Sequence, residues 1–295
     1  MTSLVLYCKS YRTDLYRLLR LAKSVQQFNL DSIPFHVSVP DQDWDLFSSH
    51  LGDFQVTLIR DTDILQASPG MPVEKVNALP GHLSQQIVKS EFWRLGISES
   101  YLCLDSDAVF IRPFNTQDFL RADGTPYSTL DEAHELLDDA LGQRRIRILD
   151  DYIREADAVQ RLFGRVGRRY SFGPFPVVWH RAVWQSLYDH FLSPHGMNFY
   201  NAIALAPIES RWYGEALLKY GAIELLPRQS IFKVYHYAWQ YDRDARSKID
   251  QSNLAKIYCG VILQSAWERE LDWPADSSSF LSKIGRGVRR FVGKI

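Results

Sequence analysis

Residues 101–114 read YLCLDSDAVFIRPF. Tyr101 to Leu104 carry no charge and have the pattern of a buried strand. The run then meets Asp105 and Asp107 across Ser106, and apolar character returns over residues 108–111. Carboxylates inside so apolar a run are costly unless they are hydrogen-bonded, protonated or neutralised by a cation. Residues i and i+2 leave a strand on one side, so both carboxylates can converge on one hard cation that bridges the oxygens of a phosphate-bearing ligand. The same spacing also serves two aspartates capping a turn at a strand end, and the context has to separate the two readings.

Upstream of this stretch, strand and helix patterns alternate. Residues 4–8 are a short apolar strand, and residues 13–28 place Leu15, Leu18, Leu19 and Ala22 at the spacing of a helix with one buried face. Residues 35–39 (FHVSV) are a second strand closed by Pro40, residues 41–49 a short helix, and residues 55–60 (QVTLIR) a third strand. Residues 69–80 are loop-rich, and residues 82–95 (HLSQQIVKSEFWRL) form the helix that delivers the chain to Tyr101. This order predicts a single α/β domain with a mostly parallel central sheet between two helical layers. Ligands of such sheets gather at the carboxyl ends of the strands. Asp105 and Asp107 sit at one such end, and Lys9, Ser10 and Tyr11 follow another.

Downstream the pattern loosens. Residues 126–130 read as a strand, residues 131–141 as an acidic segment of no clear type, and residues 148–163 as a helix followed by a basic loop, GRVGRR, at 164–169. The arginines there fit either a solvated helix face or phosphate and acceptor binding. Residues 171–179 contain a turn and a short strand, and 180–191, 198–205 and 208–220 read as helices. The last of these carries Gly214 in its middle, against helix preference. Residues 232–239 (FKVYHYAW) alternate as an aromatic strand.

At 295 residues, with 46% hydrophobic and 23% charged residues and a formal net charge of -1, the composition is that of an ordinary globular protein, and it excludes the basic signature of a nucleic-acid binder. The three cysteines form no CxxC, which fits reduced core thiols. No segment has the length and apolarity of a membrane span, and the N-terminus lacks the apolar core of a signal peptide. The expected location is therefore cytoplasmic. The final stretch, FLSKIGRGVRRFVGKI at 280–295, combines five basic residues with apolar ones at near-helical spacing. That pattern suits attachment to an anionic membrane face, here the inner face of the plasma membrane, and equally a packed terminal helix. The division is residues 1–278 for the domain and 279–295 for the tail.

The run GHLSQQIVKSEFWRLGISESYLCLDSDAVFIRPF resembles the central segment of an uncharacterised bacterial family of GT-A-like proteins, with a QQ-x-x-K helix before a Y-L-x-L-D-x-D-x-x-F-x-x-P strand and turn. ESRWYG at 209–214 and the late strand with His236 extend the resemblance. It implies a GT-A-like three-layer α/β/α sandwich that binds a nucleotide-sugar donor, UDP-linked, and a saccharide or lipid-linked acceptor. It further implies Mn²⁺ or Mg²⁺ held by Asp105, Asp107 and His236, with Cys8, Lys9, Ser10, Tyr11, Lys89 and Ser106 on the donor side. Glu209 would then lie across the sugar from the metal. As a base on an acceptor hydroxyl it would serve an inverting transfer, and as a first-turn acid it would serve only the helix dipole. Trp212, Tyr213 and Trp239 are either core or a platform for a sugar face. Gln85 and Gln86 offer hydrogen bonds to an acceptor, one of them as a cap or loop support.

Two other classes share these features. A strand followed by D-x-D-x-V resembles the first motif of haloacid-dehalogenase-type phosphatases, in which one aspartate is the nucleophile. That motif belongs near the N-terminus, whereas about a hundred residues precede it here. A non-catalytic module of the same fold, binding a glycan or nucleotide, is the third class.

Overall fold

The computed structural model describes residues 2–264. The proposed tail and the boundary at 278 lie outside the described residues. The chain opens with β1 (Thr2–Lys9) and α1 (Leu15–Phe28), then β2 (Phe35–Val39), α2 (Trp44–Leu51) and β3 (Val56–Arg60). Two short helices, α3 (Asp61–Gln66) and α4 (Val73–Asn77), lead to α5 (Gly81–Glu91) and β4 (Ser98–Leu104). After the D-x-D turn come β5 (Ala108–Phe110), β6 (Tyr127–Thr129), α6 (His134–Gly142), α7 (Ile146–Leu162) and β7 (Val177–His180). The second half continues through α8 (Arg181–Leu187), α9 (Phe199–Leu205), α10 (Glu209–Tyr220), β8 (Leu226–Arg228) and β9 (Phe232–Tyr235). It closes with α11 (Ala238–Arg246), α12 (Gln251–Leu254) and β10 (Gly260–Leu263).

The main sheet has the order β3-β2-β1-β4-β7, parallel through its first four strands with β7 antiparallel at the edge. β1 and β4 are buried on both faces because successive side chains point to opposite sides of a strand. Val5, Tyr7, Tyr101 and Cys103 enter one core, roofed by α5, α8 and α10. Leu4, Leu6, Cys8, Leu102 and Leu104 enter the other, covered by α1 and α2. These two cores on one sheet make the expected three-layer α/β/α sandwich. Smaller sheets of order β5-β10-β9 and β6-β8 flank it.

Several local expectations are corrected. The strand expected over residues 232–239 ends at Tyr235, because the Gln240 side chain accepts the N–H groups of His236 and Tyr237 and starts α11 there. Trp239 is therefore helical in backbone. The acidic segment after residue 131 forms α6. The helix expected over 180–191 is α8, begun by the His180 ring accepting the Ala182 N–H, followed by a π-helical turn over Tyr188–Leu192. Gly214 is explained by packing: a Cβ there would lie 2.0 Å from the Phe172 ring.

Candidate functional site

The sheet order reverses at β1, with β2 on one side and β4 on the other, and this switch opens a crevice at the strands' carboxyl ends. A cleft of about 1160 Å³ fills it. Its walls come from the ends of β1, β2 and β3, from α5, from the D-x-D turn, and from Phe175, Glu209 and Gln264. Asp105 and Asp107 lie past the end of β4 in a turn closed by the Ala108 N–H on the Asp105 carbonyl, 3.0 Å, and not on the strand itself. The turn, not strand alternation, brings both carboxylates to the cleft.

Lys89 projects from α5 into the floor and is 2% exposed. Its ammonium meets Asp105 Oδ1 at 2.5 Å and Glu209 Oε1 at 3.8 Å, and lies 4.4 Å from the centre of the Phe175 ring. Burial alone would discharge the lysine, but the Asp105 and Glu209 charges overcome it and hold the group above its ordinary range. Glu209 opens α10, its N–H donating to Gln86 Oε1 at 3.3 Å. Gln86, expected at the acceptor, thus holds the helix start while also lining the cleft. Burial raises the Glu209 carboxyl above the usual range, opposed by Lys89.

The first strand's end divides. Lys9 and Tyr11 line the cleft, and Lys9 pairs with Asp61 at 2.9 Å. Cys8 is buried in the core under α1, and Ser10 is buried without lining the cleft, so neither faces a ligand there. Ser106 lines the cleft close to Asp14, which pairs with Arg17. Asp14, Arg12, Asp43 and Asp61 had no sequence signal of their own. They are polar residues just past strand ends, placed by the sheet. Seven carboxylates and four Lys or Arg side chains line the cleft. Every one of those cations meets a carboxylate. The surplus is acidic, so the cleft favours a cation, or an anion delivered with one.

Trp212 and Tyr213 are corrected to core. Trp212 is fully buried with its indole N–H on the Ala206 carbonyl at 2.9 Å, and the Tyr213 hydroxyl accepts the His180 N–H at 2.9 Å. Phe175 and Tyr11 are the Phe and Tyr side chains that line the cleft. His236 is also displaced from its expected place. It lines a second cavity of about 1080 Å³ close to Gln264, which lines the first. Burial pushes its imidazole down to about 4, leaving it neutral at pH 7.

Asp105 and Asp107 are hard oxygen donors. Among the described residues no group of three or more His, Cys, Asp or Glu side chains could hold a metal ion by itself. Two carboxylates fit an ion of the Mg²⁺ or Mn²⁺ kind that keeps waters and shares a ligand's phosphates, and do not fit an all-protein cage. No helix among the described residues is long and apolar enough to cross a membrane.

The chain is similar, at 14% identity and a TM-score of 0.49, to a galactosyltransferase solved with donor and acceptor sugar analogues, over 87% of this chain and 86% of that one. It is also similar to mouse xyloside xylosyltransferase 1 in its apo form, at 8% identity and a TM-score of 0.45, over 89% and 98%. No curated protein matches it. Residues 2–249 match a family of unknown function, DUF6492, and the chain belongs to that family.

Proposed function

We propose that this member of DUF6492 is a GT-A-like, metal-dependent glycosyltransferase that moves a sugar from a nucleotide-sugar donor to a hydroxyl of a saccharide or lipid-linked acceptor. One observation carries the reading: Asp105, Asp107, Lys89 and Glu209, from three separate segments, line one cleft at the sheet's switch point. A divalent ion bound by Asp105 and Asp107 would supply charge that offsets the diphosphate as it leaves. Lys89 holds Asp105 in place and keeps a positive charge on the cleft floor. Glu209 takes the acceptor hydroxyl's proton in an inverting transfer. The bond from the sugar's anomeric carbon to phosphate breaks with its electron pair leaving on the nucleoside diphosphate, and a bond to the acceptor oxygen forms. Burial suits Glu209 to this, because a base works best when its pKa nears the working pH.

Calorimetry with UDP, with and without Mn²⁺, tests the donor site. Binding should strengthen with Mn²⁺, and Asp107→Asn should remove that gain. Equal affinity with and without metal would sink the site as drawn, and turnover of small phosphate esters without nucleotide binding would favour the phosphatase class. The sequence of the tail, residues 279–295, supports attachment to an anionic membrane surface. Sedimentation with anionic liposomes should lose the protein from the pellet when the chain is truncated after Ser279.

A further inference from the structure

The second cavity holds a different charge pattern. Its walls include α6, the segment 170–174, residues 208, 210 and 211 at the start of α10, and Arg228 at the end of β8. Arg211 is 7% exposed, donates one N–H to the Tyr170 carbonyl at 3.1 Å, and lies 4.8 Å from the Tyr152 ring centre. Arg228 is half-buried, donates to the Asp118 carbonyl at 2.5 Å and lies 5.1 Å from the Tyr127 ring centre. Neither guanidinium forms an ion pair among the described residues, although both line the same cavity. Burial holds both below their ordinary range, because it outweighs the more distant carboxylates, Glu155 and Glu215 near Arg211 and Asp118 near Arg228.

The cavity's acids do not serve them. Glu132 is taken by Arg168, Glu135 by Lys233, and Asp131 accepts the Ala133 N–H. Glu155 is exposed and stands beyond ion-pair distance of Arg211, though close enough to feel its charge. The basic loop that drew attention in the sequence is likewise spent, since Arg165 grips Glu215 with two bonds and Arg169 pairs with Asp157. Asp131 and Glu155 keep their own charges, and the cations that no ion pair holds are Arg211 and Arg228. An arginine has five N–H donors in a planar fork suited to carboxylate and phosphate oxygens.

The two cavities are neighbours through two shared segments and one pair of adjacent side chains. Glu209 lines the first and Arg211 the second, two positions apart on one helix and therefore about 200° apart around its axis. Phe175 lines the first while Gly173 and Pro174 line the second, and the neighbouring Gln264 and His236 divide in the same way. We propose that the second cavity binds the carboxylate or phosphate of an anionic saccharide through Arg211 and Arg228, and that this saccharide is the acceptor. Its role as acceptor rests on the transfer proposed above, whereas the anion site stands on the arginines alone.

Titration calorimetry of the full chain at low salt, with glucuronate, glucose 6-phosphate and glucose as probes, reads the site directly. At least one anionic probe should bind about tenfold or more tightly than glucose, and which one does so separates a carboxylate from a phosphate site. Arg211→Gln and Arg228→Gln should each weaken that probe, Arg211→Lys should recover part of the loss, and Asp107→Asn should leave it unchanged. Anionic probes no tighter than glucose, or folded Arg variants that bind like the parent, would overturn the proposal. If Arg211→Gln fails to fold in a thermal melt, Arg228→Gln decides by the same criterion. Anionic probe binding without UDP–Mn²⁺ binding upholds the anion site and removes the transfer reading. UDP–Mn²⁺ binding without it removes this proposal alone.

Discussion

Lys89 is a buried cation flanked by Asp105 and Glu209, and its removal tests the cleft at the scale of one residue. Lys89→Met should destabilise the fold by about 3–5 kcal/mol in denaturant titration, since breaking a buried pair leaves carboxylates without a counter-charge. Adding Asp105→Asn should recover part of that loss, and full additivity of the two substitutions would mean that the groups are not coupled. Glu209 separates chemistry from binding. Glu209→Gln should leave UDP–Mn²⁺ affinity near the parent value while lowering turnover by roughly 10²-fold or more, the scale of a lost general base. A variant with parental turnover would take Glu209 out of the mechanism. The two aspartates were legible from their apolar surroundings, and Glu209 and Lys89 from a resemblance. Arg211 stands two residues after Glu209 in the same motif, yet nothing in its neighbours marked it, because its missing carboxylate partner is a fact of three-dimensional packing.

At the scale of elements, α10 shows how packing can reverse a propensity. Gly→Ala inside a helix ordinarily stabilises by about 1 kcal/mol. At Gly214 the added methyl would meet the Phe172 ring 2.0 Å away, and the ring belongs to the segment that runs between the two cavities. Gly214→Ala should therefore destabilise by about 1–3 kcal/mol, the range of overpacked cores, and combination with Phe172→Leu should return part of it. A rise in melting temperature for the single variant would contradict the packing. Helix α11 makes the complementary point: the alternation FKVYHYAW reads as one strand, but Gln240, four residues past His236, captures two backbone N–H groups and turns the chain into a helix. A side-chain cap of this kind competes with the sheet ladder, and periodicity does not register it.

Across the whole molecule, buried titratable groups set two opposing pH dependences. His236 is lowered by burial from its ordinary 6.5 to about 4, so its contribution is present above pH 6.5 and is lost as pH falls through 4. The loss approaches about 3 kcal/mol at one pKa unit per 1.36 kcal/mol, and His236→Gln should flatten the stability profile between pH 6.5 and 4. Glu209 is raised by burial, so its contribution is present below the unfolded value near 4.5 and declines as pH climbs through the folded one. Glu209→Gln should accordingly gain stability relative to the parent as pH rises from 4 to 8. Urea titrations across this range check both signs, and parallel profiles for parent and variant would remove that group from the linkage.

The strand–helix alternation from Leu4 to Leu104 determined the three-layer sandwich by itself, because a sheet buried on both faces demands apolar runs and the covering helices demand one apolar stripe each. It also placed the acidic pair at a strand end, since charge inside an apolar run has few other places to go. Only the tertiary structure decided which residues share the cleft. It sent Cys8, Trp212 and Tyr213 into the cores and set His236 on a second cavity. It brought Asp61 to Lys9 and Glu209 to Lys89 from distant segments. Periodicity records which face of an element is buried. Which charge stands opposite another depends on loops and crossings whose geometry is settled by the packing of the whole chain.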